Sequence, residues 1–394
     1  MGTFRQTTLE ILEIEPHKLN EVPLVIDDWT LSFQLGYRGK TFWYIHNNRQ
    51  KLYKVFKIKK ASGGLRTIHN PMPILRLFAK QLRHKILLPL TKQLGPHVGA
   101  YQLGKSTRDT AKRHLLACPE CDKLDQEHTC TFQVEERNAK FRVLRRNTES
   151  CPACAKIPKH DCPRAGVKIH MDLKDFFGST RRSWIRQYFH EVVGYNHYVS
   201  GLLAQILTTD LVDEKTKHVH AGVPQGAKTS GDICNLVADW KIDQAILAAL
   251  PEWVYSRYAD DIYLTHPKNL PPAEVDKVIH EVERLINNSG YRLNRRKLHV
   301  QRPHRQQRVL GIVVNKKANM PKQEYRRMRA ILTNCIDHGF EAEFKRAKKD
   351  SAGQMMTWLS GKVSYYQMIA PNKGNRLRAM LDVAKKKWMP EETT

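Results

Sequence analysis

Acidic residues are scarce in this chain. Its 394 residues carry 39 Asp+Glu against 66 Lys+Arg, a formal net charge of +27 spread from end to end. Such an excess points to a polyanionic partner, with nucleic acid first and a membrane surface second. Long hydrophobic runs are missing as well. No apolar stretch approaches the roughly 20 residues that span a bilayer, and the first residues do not read as a signal peptide. The expectation is a soluble, cytoplasmic protein with no membrane partner. Also absent are a glycine-rich dinucleotide fingerprint and the G-x-x-x-x-G-K-[ST] phosphate loop, so the commonest nucleotide-binding classes drop out. Cysteine is rare outside one block: six of the eight fall between residues 118 and 162, and Cys234 and Cys335 stand alone, as packed or inert thiols do.

What is present alternates between strand-like and helix-like patterns. "TFWYIH" in the first 50 residues reads as a strand or core segment. "YKVFKIKKASGGLRTIHNP" reads as a hairpin with Lys59, Lys60 and Arg66 near its tip, its apolar alternation broken by Gly63 and Gly64. "PILRLFAKQLRHKILLPL" turns to helical spacing, and "GVKIHMDLKDFF" opens with strand alternation. "STRRSWIRQYFHEVV" reads as a helix capped by Ser179 or Thr180. A Gly/Pro turn, "AGVPQGAK", feeds a long amphipathic helix. Then come a hairpin at "RYADD", a helix stopped by Gly290, a short strand "RVLGIVVN", and a helical, basic remainder beyond residue 316. The plan is α+β, with a small antiparallel sheet.

Two adjacent aspartates, Asp260 and Asp261, sit at the expected turn of "SRYADDIYLTH". Asp is a common turn residue, and a Tyr-x-Asp-Asp tetrad arises by chance in on the order of a few per cent of chains this long, so the pair needs support. Asp172, at the end of the "KIHMD" strand, supplies it. If these strands are neighbours, three carboxylates converge at one sheet edge, an oxygen-ligand set suited to two Mg²⁺ ions and nucleotidyl transfer. Asp175 reads instead as a cap for the next helix.

The segments "MDLKDFF", "GVPQGAKTSGDICN", "RYADD", "RLNRRK" and "VLGIVVN" stand in the order and approximate spacing of reverse transcriptase motifs. They resemble most closely the bacterial retron, group II intron and defence-associated branches. Upstream "KKASGGLRTI" is similar to the fingers hairpin, and downstream "LSGKVSYYQMIAP" to the thumb segment of retron-type enzymes. The resemblance implies a right-hand polymerase fold, divided into an N-terminal extension (1–49), fingers (50–117), a Cys-rich insertion (118–164), a palm with part of the fingers (165–316) and a helical thumb (317–394).

It also implies roles for individual residues. Asp172 and Asp260 match the Mg²⁺ ligands, and Asp261 a supporting carboxylate. Phe177 matches the ring that stacks under the incoming sugar and disfavours a 2′-hydroxyl, whereas Phe176 reads as core. Gln225 and Gly226 match a turn against the template and incoming base. Arg66 and one of Lys59 or Lys60 match the residues that neutralise the triphosphate of the dNTP. Lys297 matches a lysine serving the leaving pyrophosphate. The implied activity is RNA-directed DNA polymerase, with an RNA template, most simply a structured noncoding RNA, and a DNA product. The implied setting is antiviral defence, with an effector protein or a second copy of the chain as further partners. Template-independent or protein-primed synthesis, and a catalytically silent RNA-binding scaffold, stay open. The sequence departs from the retron pattern at "TAKRH" (110–114), where Asn-Ala-x-x-His is usual. It departs again at Val309-Leu310-Gly311, where Val-Thr-Gly is usual, and at Lys228 and Gly231, which replace two prolines.

The Cys-rich block is an internal repeat, "CPECDKLDQEHTC" and "CPACAKIPKHDC". Cys118, Cys121, His128 and Cys130, with Cys151, Cys154, His160 and Cys162, make eight ligands, enough for one or two structural Zn²⁺ ions, and the two C-x-x-C pairs are the stronger part of the signal. The basic "ERNAKFRVLRRN" between the halves reads as a solvated loop or a nucleic-acid-facing insertion that grips phosphates in a salt-sensitive way. Purified protein is expected to carry one or two zinc ions per chain by elemental analysis, and Cys118→Ser with Cys121→Ser to lose at least one.

Overall fold

The structure, a computed structural model, describes residues 22–59, 63–115, 132–137, 140–145, 166–212, 216–344 and 351–388. Lys60 and all eight zinc-ligand candidates lie outside the described residues. The chain divides into two compact units. One comprises Met1–Ser106, Ile169–Leu264 and Pro271–His299, and the other Thr107–Lys168, Thr265–Leu270 and Val300–Thr394.

The first unit opens with helices Asp28–Gln34 and Gly39–Asn48. The second of these takes in "TFWYIH", read from the sequence as a strand or a core segment; it is helical, and it packs in the core. Phe42, Ile45 and His46 are its buried residues, and their i, i+3, i+4 spacing gives one apolar helical face, which outweighs the β propensity of the aromatics. β1 (Tyr53–Lys59) and β2 (Leu65–Pro71) form the expected antiparallel hairpin, with Lys59 opposite Leu65 and Ile58 opposite Arg66. Gly63 and Gly64 both take positive φ in its loop. Pro73–Leu82 then forms a helix that continues through a π turn, Arg83–Leu87.

Between the two cysteine clusters, β3 (Phe132–Arg137) and β4 (Lys140–Arg145) pair antiparallel, so the described part of the basic run is strand. β5 (Val167–Asp172) ends on Asp172 and leads into the short helix Phe176–Ser179. The next helix, Arg182–Gln187, follows Arg181 and has no side-chain cap. Thr180, expected to cap it, instead donates to the Phe176 carbonyl at 2.9 Å and meets the Tyr291 hydroxyl at 2.8 Å. Ser179 donates to the Lys174 carbonyl at 3.2 Å. Asp175 does stand at the N-cap position, yet in the left-handed conformation (φ 48) and without a capping hydrogen bond.

After the small hairpin of β6 (Thr209–Val212) and β7 (Val219–Gly222), the helix Ser230–Ala238 is buried along its whole length. β8 (Val254–Tyr258) and β9 (Asp261–His266) follow, then the amphipathic helix Pro272–Asn288. Gly290 (φ 94) ends that helix as expected; a Cβ there would lie 2.6 Å from the Trp184 ring. With β10 (His299–Gln301), the central sheet has the order β10-β5-β9-β8. "RVLGIVVN" makes two short strands instead of one, β11 (Arg308–Val309) and β12 (Ile312–Val313). Leu310 and Gly311 both take positive φ between them, the requirement of a tight primed hairpin turn. In the second unit, Lys322–Phe344, Ala352–Ile369 and Pro371–Trp388 give the helical remainder.

One buried cation organises the first unit. Arg257 on β8 is fully buried, and every donor of its guanidinium is used. Nε and Nη2 clasp Asp243 at 2.8 and 2.7 Å, Nη1 donates to Asn235 Oδ1 at 2.9 Å and to the Ala259 carbonyl at 3.3 Å, and Nη2 also donates to the Asn235 carbonyl at 3.2 Å. Asp243 accepts from the Tyr255 hydroxyl at 2.6 Å as well. The fork of Arg257 thus ties the helical segment 235–243 to the hairpin at Ala259. Removing one partner of a buried ion pair strands the other charge. Arg257→Met is therefore expected to destabilise the protein by about 3–5 kcal/mol, read from the midpoint of chemical denaturation.

Candidate active site

Strands β5 and β9 are neighbours, so Asp172 at the end of one lies beside the turn that opens the other. Two backbone contacts fix the placement. The Leu173 N–H donates to the Asp260 carbonyl at 2.8 Å, and the Asn294 N–H donates to the Asp172 carbonyl at 2.7 Å. The hairpin loop is only Ala259-Asp260, and Ala259 occupies the left-handed region (φ 57), a position where such turns favour glycine. The bond from Arg257 to the Ala259 carbonyl holds that strained residue in place.

The three carboxylates differ in their surroundings. Asp172 is buried, with Oδ2 taking the Lys297 ammonium at 2.5 Å and Oδ1 the Asn294 amide at 3.1 Å. Asp261 is half-buried and meets His170 Nε2 at 2.7 Å; the imidazole in turn stacks on Tyr263, ring centroids 4.6 Å apart. Asp260 has its pKa raised, first by burial, then by the charge of Asp261 and, more weakly, by that of Asp172. Lys297 has its pKa raised by its hydrogen bond to Asp172, so it remains an ammonium at neutral pH. An acid whose ionisation burial and like charges oppose is a group that a divalent cation would relieve, and a carboxylate oxygen suits a hard, oxygen-seeking ion.

The other candidates lie elsewhere in the first unit. Phe177 is half-buried, while Phe176 is buried, stacks against Tyr291 at 6.0 Å and lies 5.5 Å below the Arg257 guanidinium. Gln225 receives the His69 N–H on its carbonyl at 2.8 Å, which joins the Gln-Gly turn to β2, the strand that carries Arg66. Gly226 has φ 120, and a Cβ there would lie 2.9 Å from the His69 carbonyl oxygen. Arg66 is exposed, and Lys59 ends β1. Cys234 and Cys335 are free and buried.

Sequence reasoning missed His170, Asn294, Arg257 and Tyr101. His170 was within reach, since two residues before Asp172 on a strand places it on the same face. Among the described residues a compact His/acid cluster occurs elsewhere, at His97, Asp239 and Asp243. His97 Nε2 is 2.6 Å from Asp239, but Asp243 is committed to Arg257 and Tyr255, so the cluster belongs to the buried scaffold.

The family described as reverse transcriptase (RNA-dependent DNA polymerase) matches residues 58–314. The chain belongs to that family. It is similar to the retron Mx65 reverse transcriptase of Myxococcus xanthus, with 26% identity over 84% of this chain and 65% of that protein. The retron Mx162 reverse transcriptase of the same organism is 30% identical over 55% of this chain and 47% of that one. This chain thus spans about half to two thirds of the length of these relatives. Among solved structures, telomerase from Candida albicans in complex with a fragment of telomeric RNA aligns over 85% of this chain and 63% of that one, at TM-score 0.41 and 11% identity.

The raised pKa of Asp260 has a consequence for stability. Without metal, the folded protein holds this proton more tightly than the unfolded chain does. The corresponding stability is present below the unfolded value, about 3.9, and is lost as pH rises through the folded value. Asp260→Asn is therefore expected to raise the Tm of EDTA-treated protein at pH 7.5 by on the order of a few degrees, with the gain shrinking toward pH 4. Mg²⁺ should stabilise the parent protein more than the variant.

Proposed function

We propose that this chain is an RNA-directed DNA polymerase that adds dNTPs to a primer 3′-hydroxyl. The observation that carries the reading is the hydrogen bond from Leu173 to the Asp260 carbonyl, which joins the strand end bearing Asp172 to the turn bearing Asp260 and Asp261. Under this reading the first unit supplies a palm around the four-stranded sheet and a fingers hairpin from β1 and β2, and the helices after Lys322 supply a thumb. The resemblance to retron-type enzymes implies a structured noncoding RNA as template and a setting in antiviral defence.

Asp172 and Asp260 would hold two Mg²⁺ ions, with Asp261 in support. Bound there, the ions supply the charge that activates the 3′-oxygen and offsets the leaving pyrophosphate. The remaining work falls to the chain. The 3′-hydroxyl loses its proton to solvent as its oxygen attacks the α-phosphorus, and the bond to the α–β bridging oxygen breaks with both electrons leaving on pyrophosphate. Lys297, kept protonated by its carboxylate neighbour, can hold or deliver a proton at that oxygen. Arg66 and Lys59 or Lys60 meet the triphosphate, Gln225 and Gly226 form the surface beside the nascent base pair, and Phe177 stands under the sugar. His170 orients Asp261, and Asn294 orients Asp172. The Cys-rich block would be stabilised by zinc through the ligands named above.

Primer extension on a defined RNA template with Mg²⁺ and all four dNTPs tests the reading. Template-complementary DNA is expected, and Asp260→Asn should slow it roughly a thousandfold, about 4 kcal/mol of transition-state stabilisation. Product independent of added or copurified RNA would overturn the templated reading, and no product under any condition would overturn polymerase activity.

A further inference from the structure

Tyr101 carries a second signal beside the site. It is one of few non-glycine residues with positive φ (56), and a bulky side chain there costs on the order of 1–3 kcal/mol unless its surroundings hold it. They do hold it. Val98 bridges to Arg257 on β8, the Gly99 N–H donates to the Arg257 carbonyl at 2.8 Å, and Asn235 donates to the Ala100 carbonyl at 2.7 Å. The segment leading to Tyr101 is thus anchored on the buried arginine network that also holds the Asp260 turn.

The ring itself is half exposed, at 48%. It meets Phe177 edge-on, with centroids 6.2 Å apart and planes at 71°. On another side it lies against Gly231, where a Cβ would fall 2.4 Å from its Cγ. Glycine at 231 leaves room for the ring in this position. Burial and the nearby Asp260 carboxylate push the Tyr101 hydroxyl up to about 12, with Arg66 acting the other way, so the phenol stays neutral. A strained, partly open aromatic side chain therefore lies against Phe177, the residue assigned above to the sugar, and Gly231, with Asp260 and Arg66 near enough to act on its hydroxyl.

We propose that Tyr101 is a specificity-determining residue: its ring, lodged in the space left by Gly231, holds Phe177 in place and with it walls the pocket for the sugar of the incoming nucleotide. The proposal rests on the polymerase reading of the site. Loss of the ring frees Phe177 to turn and admits a 2′-hydroxyl.

The test uses the full chain on an RNA template with a DNA primer, comparing single additions of dTTP and UTP. Tyr101→Ala is expected to lower the ratio of kcat/KM for dTTP over UTP by about tenfold, the scale of one pocket contact. Tyr101→Phe should keep the ratio within about twofold. Gly231→Ala, whose methyl displaces the ring, should shift the ratio in the same direction as Tyr101→Ala. An unchanged ratio, or equal loss for both nucleotides, overturns the proposal and indicates a template contact or a purely structural role. Binding of dTTP and UTP with Mg²⁺ on a dideoxy-terminated primer separates the two readings. If dTTP preference depends on Tyr101 but the parent protein extends no primer, the polymerase reading falls and the pocket assignment stands. If primers are extended with the ratio untouched, only the pocket assignment falls, and binding of neither nucleotide overturns both.

Discussion

The ion pair between Arg257 and Asp243 is the contact on which the rest of the first unit depends. A guanidinium taken wholly out of water is tolerable only if each of its donors finds an acceptor, and here Asp243, Asn235 and the Ala259 carbonyl supply them. This requirement gives the pair its organising effect. To satisfy one planar fork, the helix containing Asn235, the π turn Asp239–Asp243 that follows it and the strand containing Arg257 must meet in one arrangement. Strain at Ala259 and Tyr101 is held by the same network, so two left-handed residues flank the site without a glycine at either position.

Around the aspartates the problem is repulsion. Three acids near one turn are each given a different compensation: an ammonium and an amide for Asp172, an imidazole for Asp261, and only partial relief for Asp260, whose ionisation remains opposed. The least compensated acid sits at the turn that opens β9.

Much of this was legible from residue patterns. The hairpin at "RYADD", the strand ending at Asp172, the Gln-Gly turn and the amphipathic helix before Gly290 follow from alternation, turn chemistry and helical spacing, and the structure has each of them. The misreadings share one cause, that local propensity was asked a question that packing decides. "TFWYIH" is core, as one of its two readings had it, but helical where the other expected a strand. Thr180 has the chemistry of a cap but is drawn to Tyr291 and the Phe176 carbonyl. Asp175 has the right position for a cap and the wrong side-chain geometry. Of the two readings of the basic run between the cysteine clusters, the solvated loop gives way to paired strands, β3 and β4.

By itself the sequence determined the chemistry on offer: the carboxylates, the basic surface, the ordered motifs and the thiol repeat, because these depend on residue type and spacing along the chain. Tertiary structure alone decided which residues serve those groups. Arg257 lies 14 residues from Asp243, Asn294 and Lys297 lie more than 120 residues from Asp172, and Tyr101 lies far in sequence from both Phe177 and Gly231. Contacts across such separations are set by the requirement that buried charges be paired and core volume be filled, and no local pattern records how that requirement is met.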